Sequence, residues 1–261
     1  MTSDPLASFA HERRERLDAF GRDEDFKKQA LDWVSASMNR QYIYNFDWLG
    51  RPIIQYPEDI MSVQELIWQT RPDVIVETGI AHGGSVILSA SMLAMLDYSD
   101  AIKRGEMLDP RNPKRKVIGI DIDIRQHNRD LIEAHPMSAG LVMIEGSSID
   151  PDVVAEVQTH VDGAERVLVF LDSMHTHDHV LAELEAYAPM VTKGSYCVVF
   201  DTIVEDLPKG YFKDRPWNPG NSPKSALRAY LEDHPEFEID SDLHNKLMIT
   251  AVPHGHLKRV G

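Results

Sequence analysis

The chain has 261 residues, of which 43% are hydrophobic, and a formal net charge of −15 at pH 7. That length suits one α/β domain with additional elements, and the negative charge would repel nucleic acid phosphates, so we expect no nucleic acid partner. We find no apolar stretch of the ~18 residues that a membrane span needs, and the start of the chain is charged. Cys197 is the lone cysteine, so an intrachain disulfide is excluded, and we predict that its thiol is buried. These features favour a cytoplasmic protein without a membrane partner.

The first part of the chain differs in pattern from the rest. Apolar residues at helical spacing in residues 5–40 predict amphipathic helices packed on a larger body. Residues 41–50 are rich in aromatic residues, which is typical of an irregular or short extended segment, and Pro57 followed by two acids predicts a helix start. We therefore expect residues 1–60 to form a helical and aromatic extension packed on a core domain of residues 61–261.

From Val74 onward, apolar strands alternate with helical stretches. The predicted strands are Val74–Glu77, Val117–Asp121, Leu141–Glu145, Val167–Asp172, Tyr196–Asp201, Phe237–Asp240 and Leu247–Val252. The predicted helices lie near 84–96, 125–134, 151–161, 177–188 and 223–233, whereas 97–116 and 202–222 lack a regular pattern. Apolar strands separated by helices predict a parallel sheet covered on both faces. The last two strands have no predicted helix between them, so we expect an antiparallel hairpin at the end of a doubly wound, Rossmann-like α/β sheet of seven strands.

The turn after the first predicted strand, Val74–Glu77, indicates which ligand binds. The sequence VIVETGIAHGGS joins a strand, a glycine-rich turn and a helix start, which together form a site for a nucleotide-like ligand. Glu77 at the strand tip would repel a pyrophosphate but suits a cation or hydroxyl groups, which favours S-adenosylmethionine (SAM) over NAD or ATP. The acid at the next strand end lies much further from Gly79 than the about 20 residues that a nicotinamide enzyme requires. The alternative is that the glycines only allow tight strand–helix packing.

Polar residues after the next two strands extend this predicted cofactor site. Asp121 can accept hydrogen bonds from both ribose hydroxyls, with Asp123 as a second candidate, although a solvated strand-end acid or a helix N-cap is the alternative. Gly146 would allow close approach of an adenine, and Ser147 can hydrogen-bond its edge. The same segment also suits a helix start at Pro151, and both interpretations can hold together.

Two acids predict a metal site. Asp172 and Asp201 end neighbouring predicted strands, whose tips lie about 5 Å apart in a parallel sheet. Paired carboxylates at that edge can bind a hard cation such as Mg²⁺, and Thr202 could add an oxygen ligand. The alternative is an acid pair without a metal.

Histidines follow the first of these acids. The segment from His175 to His179 is one residue short of the H-x-H-x-D-H zinc motif of metallo-β-lactamase-like hydrolases, so it would not reproduce that ligand geometry. We instead place His175 with Asp172 in the catalytic set, as general base, because an imidazole titrates near neutrality. His244 is a second candidate base, whereas His177 and His179 fit helix-surface positions.

The irregular stretch after the fifth strand is a candidate substrate loop. Trp217 could stack on a sugar face, and Arg215 and Asn221 could bond sugar hydroxyls. The alternative is a surface loop anchored by its tryptophan. Ser222 and Pro223 then predict the start of a helix.

Taken together, the motifs VIVETGIAHGGS, IGIDID, EGSS, FLDSxH and RPWNPGN resemble the cephalosporin hydroxylase/rhamnosyl O-methyltransferase family, from about Tyr42 to the C-terminus, and most closely its natural-product sugar O-methyltransferases. The resemblance implies Mg²⁺ at Asp172 and Asp201. Some relatives carry Glu-Asp where this chain has Phe200-Asp201, so Thr202, Glu205, water or substrate oxygens would complete the metal site. The SAM contacts that the resemblance implies are Glu77, Gly79, Ala81, His82, Gly83, Ser85, Asp121 and Ser147, and we add Thr78 as a neighbour in the same turn.

These observations predict a SAM-dependent, Mg²⁺-assisted O-methyltransferase acting on a sugar hydroxyl, rhamnosyl or a related deoxysugar, of a glycosylated natural product. Mg²⁺ would lower the pKa of the acceptor hydroxyl and hold it in line with the methyl group. Other acceptors, namely a lipopolysaccharide sugar, a β-lactam intermediate or a phenol, are alternatives, and a non-catalytic nucleotide-binding module is a third interpretation. We expect the protein to form a homo-oligomer.

Overall fold

A computed structural model describes residues 5–261. The helices are α1 (Pro5–Arg22), α2 (Glu24–Met38), α3 (Pro57–Thr70), α4 (Gly84–Arg104), α5 (Gln126–Glu133), α6 (Pro151–Val161), α7 (His177–Tyr187), α8 (Pro223–Asp233) and α9 (Ser241–Lys246). The strands are β1 (Phe46–Trp48), β2 (Arg51–Ile53), β3 (Val74–Thr78), β4 (Lys116–Asp121), β5 (Leu141–Glu145), β6 (Val167–Leu171), β7 (Tyr196–Val199), β8 (Phe237–Ile239) and β9 (His256–Arg259).

The N-terminal residues form the predicted helices. In α1 no residue is buried, whereas α2 buries Ala30 and Val34 against the body of the protein. Asp23 starts α2 by accepting a hydrogen bond from the backbone N–H of Phe26, as an N-cap residue does. The aromatic segment that follows is a 3₁₀ turn and the antiparallel hairpin of β1 and β2, in agreement with a short extended segment.

The central sheet has the predicted doubly wound topology. Seven strands lie in the order β5-β4-β3-β6-β7-β9-β8, and β9 is antiparallel to both of its neighbours. Every residue of β3 and β6 is buried, because α3 and α4 cover one face of the sheet and α6, α7 and α8 cover the other. Cys197 in β7 is fully buried, as predicted.

The prediction of the last strand is wrong. The segment 247–252 forms no strand, and α9 separates β8 from the true last strand, β9. The polar groups of the segment bond elsewhere: the backbone N–H of Ala251 and the hydroxyl of Thr250 both donate to the buried carboxylate of Asp59 in α3. The predicted antiparallel pairing at the sheet end is nevertheless present, because Leu257 of β9 pairs with Ile239 of β8.

Helix α4 is longer than predicted. Residues 97–104, expected to be irregular, continue the helix because two of their acids bond to an arginine before β4: Arg115 donates to Asp97 and, at 2.8 Å, to Asp100. Contrary to the expectation that no apolar stretch reaches the length of a membrane span, this helix is long and apolar enough to cross one. However, 61% of its most apolar stretch is buried inside the protein. That burial is typical of the core helix of a globular domain.

The order of the strands determines where a ligand can bind. From β3 the chain proceeds to β4 and β5 on one side, and the next strand, β6, then returns to the other side of β3. The connections after β3 and β6 therefore diverge, which leaves a crevice outside the carboxyl ends of these two strands. Ligands of open α/β sheets bind in such crevices, and most of the predicted site residues follow β3, β6 and β7.

Candidate active site at the carboxyl edge of the sheet

The turn between β3 and α4 brings two strand tips into contact. Gly79 has a φ of +92°, and a Cβ on it would lie 2.0 Å from the carbonyl oxygen of Asp172, which follows β6. The backbone N–H of Asp172 donates to the carbonyl of Thr78 at 2.9 Å, so Thr78 contributes to the sheet. Only glycine fits this position, because both the left-handed backbone and the close approach exclude a side chain.

The second half of the turn packs against the N-terminal hairpin. A Cβ on Gly84 would lie 2.2 Å from the carbonyl oxygen of Pro52, and one on Gly83 would meet the side chain of Ile132. Arg51 of β2 donates two hydrogen bonds to the carbonyl of His82. The hairpin therefore holds the turn in place.

Glu77 lies beneath the turn rather than in the open. It is 2% exposed, its Oε2 accepts a hydrogen bond from the hydroxyl of Ser89 at 3.1 Å, and its Oε1 is buried without a partner. Burial raises the pKa of Glu77 to about 7. Glu77, Ser85 and Asp172 line a small void, so the acid lies directly below the site.

Asp121 shapes the same turn. Its Oδ2 accepts hydrogen bonds from the backbone N–H groups of Ile80 and Ala81, at 2.8 and 3.0 Å, and its Oδ1 accepts from that of Asp123 at 3.2 Å. A carboxylate oxygen can accept more than one hydrogen bond, so Asp121 retains capacity for hydroxyl groups. The side chain of Asp123 is exposed and lies 3.6 Å from Arg125.

A cavity of about 450 Å³ opens above the turn. The predicted site residues that line it are Gly79, Ala81, His82, Ser85, Asp172, His175, Asp201, Arg215 and Trp217. Residues of the N-terminal extension, which the sequence did not assign to the site, also line the wall, among them Met38, Gln41, Ile43, Tyr44 and Gln55. The aromatic content of that segment was the available signal, but its position over the sheet edge depends on long-range packing.

Three ionisable side chains converge on the floor of this cavity. The ligand atoms of Asp172, His175 and Asp201 all lie within 4.8 Å of one another, and Nε2 of His175 is 3.0 Å from Oδ2 of Asp201. Burial and the charges of Asp201 and Glu77 raise the pKa of Asp172 well above its usual range. Asp201 has a φ of +52°, a strained backbone of the kind that clusters at functional sites.

The loop after β7 adds an aromatic side chain. The ring of Trp217 meets that of His175 edge-on, with centroids 4.8 Å apart, and the guanidinium of Arg215 lies 5.2 Å from the centre of the Trp217 ring. The hydroxyl of Tyr211 donates to the carbonyl of Ser35 in α2. The loop and the N-terminal extension are thus joined over the cavity.

Some predicted residues lie outside this group. His244 stacks on His254 with ring centroids 3.6 Å apart, and burial together with His254 lowers its pKa to about 4. Asn221 accepts a hydrogen bond from the backbone N–H of His177 and donates to the carbonyl of Pro216, so it holds the loop together. Neither His244 nor Asn221 lines the cavity.

Phe200 stands where some relatives carry a glutamate, and the two residues predicted to complete the metal site in its place have other partners. The hydroxyl of Thr202 donates to the carbonyl of Pro253 at 2.9 Å. Glu205 accepts hydrogen bonds from the backbone N–H of Gly220 and the hydroxyl of Ser222. Thr202 and Glu205 therefore stabilise the loops around the site.

The residues after β5 lie at a distance from the cavity wall. Neither Gly146 nor Ser147 lines it, and a Cβ on Gly146 would lie 2.7 Å from the side chain of Val153 in α6. This glycine therefore allows close packing of α6, and α6 begins at Pro151, as the competing interpretation of the segment predicts. His179, expected on a helix surface, instead belongs to a partly buried hydrogen-bonded group with Ser173.

Comparison with known proteins identifies the family. The model of the Rhamnosyl O-methyltransferase/CmcI family matches residues 40–260. The chain is 24% identical to the rhamnosyl O-methyltransferase of Mycobacterium tuberculosis over 237 residues, which cover 87% of this chain and 86% of that protein. The corresponding protein of Mycobacterium leprae is also 24% identical, over 87% of this chain and 91% of its own length.

A solved structure of CmcI with Mg and SAM has a TM-score of 0.54 and 18% identity, over 84% of this chain and 78% of that one. At that identity the likeness shows a shared fold, which agrees with the predicted Rossmann-like methyltransferase sheet. The family match spans most of the chain and includes every residue of the cavity floor. The protein belongs to the Rhamnosyl O-methyltransferase/CmcI family and is a SAM-dependent O-methyltransferase.

Proposed function

We propose that the enzyme methylates a hydroxyl of a rhamnosyl or related deoxysugar unit of a natural product, with Mg²⁺ held by Asp172 and Asp201. The observation that carries the proposal is the convergence of these two acids and His175 on the floor of a cavity that begins at the cofactor turn. The names of the mycobacterial relatives, rhamnosyl O-methyltransferases, support a sugar acceptor.

The cavity floor fits a divalent cation. Asp172 and Asp201 supply carboxylate oxygens, which Mg²⁺ prefers as ligands. Burial, and then the charges of Asp201 and Glu77, raise the pKa of Asp172, and a cation would offset the repulsion among these acids. Bound Mg²⁺ supplies positive charge that lowers the pKa of an acceptor hydroxyl.

His175 is the proposed general base. When its Nε2 donates to Asp201, Nδ1 becomes the nitrogen that can accept a proton from the acceptor hydroxyl. The edge-on contact with Trp217 restricts the imidazole ring from its other side. Because the methyl group of SAM is already reactive, holding the acceptor in line with it supplies much of the rate.

The upper wall of the cavity supplies the proposed sugar contacts. Trp217 offers an apolar ring for a sugar face, and Arg215 and Gln41 offer donors for its hydroxyls. Tyr44 is 59% exposed at the cavity wall, as expected of a side chain that meets a large glycosylated acceptor.

The substitution Asp201→Asn tests the metal role. Asparagine tolerates the left-handed backbone of Asp201 as well as aspartate does, so the variant removes the charge without adding strain. We expect turnover of a rhamnosylated acceptor, measured as S-adenosylhomocysteine (SAH) release, to fall by about 100-fold while SAH affinity changes little. The matched control is Asp178→Asn, which removes an exposed acid from the first turn of α7.

Two outcomes would contradict the proposal. Undiminished turnover by Asp201→Asn, or full activity of the wild type in excess EDTA, would exclude the proposed metal role. A panel of rhamnosides, a lipopolysaccharide sugar and a phenol tests the acceptor, and preference for the phenol would exclude a sugar substrate.

A further inference from the structure

A buried carboxylate joins two loops at the carboxyl edge of the sheet. Glu183 of α7 is fully buried, and its Oε1 accepts hydrogen bonds from the hydroxyls of Ser148 and Ser173, both at 2.6 Å. Ser148 follows β5 and Ser173 follows β6, and β4 and β3 lie between these two strands in the sheet. One side chain therefore connects loops that no backbone ladder joins.

His179 completes the connection from one turn earlier in α7. Its Nε2 lies 3.1 Å from the hydroxyl oxygen of Ser148 and 3.2 Å from that of Ser173. Each serine has one hydroxyl proton and gives it to Glu183, so His179 acts as the donor to both serine oxygens. Tyr187, one turn later, donates to the carbonyl of Ser148, and these three side chains share one face of the helix.

The two loops are the ones that flank the proposed cofactor and metal positions. Ser148 comes directly after Ser147, the predicted adenine contact, and Ser173 comes directly after Asp172. Ser173 lines the cavity, whereas Glu183 lies behind it. Both serine hydroxyls bond to the same oxygen of Glu183, so this pair of hydrogen bonds restrains both loops.

We propose that Glu183 is a positioning residue that fixes the loop after β5 relative to the loop after β6, through Ser148 and Ser173. The proposal rests on the cofactor part of the proposed function, because the loop after β6 lines the cavity and the loop after β5 carries Ser147, the proposed adenine contact. Glu183 does not itself touch the cofactor. Its loss frees each loop to move independently and so weakens cofactor binding.

The test compares Glu183→Gln with Glu185→Gln, the same change two residues along the same helix. Glu185 is largely exposed and contacts His234, away from the cavity. In calorimetric titration with SAH, we expect Glu183→Gln to raise the Kd by about tenfold and Glu185→Gln to leave it unchanged. An SAH Kd of Glu183→Gln within about twofold of wild type would overturn the proposal.

Hydrogen exchange separates positioning from general stability. Without ligand, Glu183→Gln should speed amide exchange in residues 146–150 and 172–176 together, with the core strands unchanged. Faster exchange in one loop alone, or equally throughout the chain, would also overturn the proposal. Should Glu183→Gln fail to fold, Ser148→Ala and Ser173→Ala each remove one bond, and each should raise the SAH Kd.

Failure of this inference is distinguishable from failure of the proposed function. A wild-type protein that binds no SAH contradicts the cofactor assignment itself. The exchange measurement then still decides whether Glu183 connects the two loops, because it requires no ligand.

Discussion

At the scale of single residues, Gly79 determines how closely the two central strand tips approach. Replacement by alanine would place a Cβ 2.0 Å from a backbone oxygen, which cannot rotate away. We expect Gly79→Ala to lower the free energy of unfolding by about 3 kcal/mol or more and to weaken SAH binding, because the turn must move. Thermal unfolding and SAH titration measure the two effects.

The matched control is Gly194→Ala. Gly194 has a φ of +85°, close to that of Gly79, but nothing lies within 4 Å of its Cβ position. It therefore carries only the cost of the left-handed backbone, about 1 kcal/mol. Equal losses for the two variants would show that the contact with Asp172 contributes nothing.

A second residue-scale prediction concerns Asp59 and pH. Burial raises the pKa of Asp59 to about 7, above its value in an unfolded chain, so the folded state binds more protons between these two values. The stabilisation that Asp59 contributes is therefore fully present below its unfolded-state pKa and is lost as pH rises through about 7. Relative to Asp59→Asn, the wild type should lose about 3 kcal/mol of unfolding free energy between pH 5 and pH 8.

The Asp59→Asn variant serves as the reference for the wild type, because other groups make the stability change with pH in the opposite direction. Burial lowers the pKa of His256 to about 4, and that of His244 falls to a similar value, so their contribution to stability grows as pH rises toward neutrality. Asparagine can accept from the N–H of Ala251 and donate to Thr250, which preserves both contacts of Asp59. A constant difference between wild type and variant over this pH range would contradict the raised pKa.

At the scale of elements, the sequence predicted those whose burial follows their own periodicity. The five parallel strands and the helices between them were predicted because their residues are apolar on both faces of the sheet or on one helical face. The segment 247–252 has the same β-like composition, but a distant acid in α3 takes its donors. The true last strand contains His256, Lys258 and Arg259, so its polar composition concealed it.

The same limit applies to the site. The cavity floor was predictable because Asp172, His175 and Asp201 follow apolar strands, and strand tips converge in a parallel sheet. The roles of Thr202 and Asn221 were not predictable, because their partners lie in loops whose path the local sequence pattern does not encode. Glu183 was missed because it occupies a helix position that periodicity alone predicts to be an ordinary polar residue.

At the scale of the whole molecule, charge and topology together select the ligand. The chain carries a formal net charge of −15, and three of its acids, Glu77, Asp172 and Asp201, lie at the point where the strand order reverses. A pyrophosphate at this edge would oppose ionisation of Glu77 and Asp172, whose pKa values are already raised, whereas the ammonium group of SAM or SAH would favour their charged forms. The near match of the turn to a dinucleotide motif therefore reflects a shared strand–turn–helix geometry.

This argument predicts which ligand stabilises the fold. SAH at about 100 times its Kd should add about 2.7 kcal/mol to the free energy of unfolding, which for a chain of this length raises Tm by roughly 5–10 °C. NAD⁺ at the same concentration should leave Tm unchanged, because its pyrophosphate meets the acids beneath and beside the turn. Differential scanning fluorimetry measures both shifts, and a rise with NAD⁺ as large as that with SAH would show that the acids do not select the ligand.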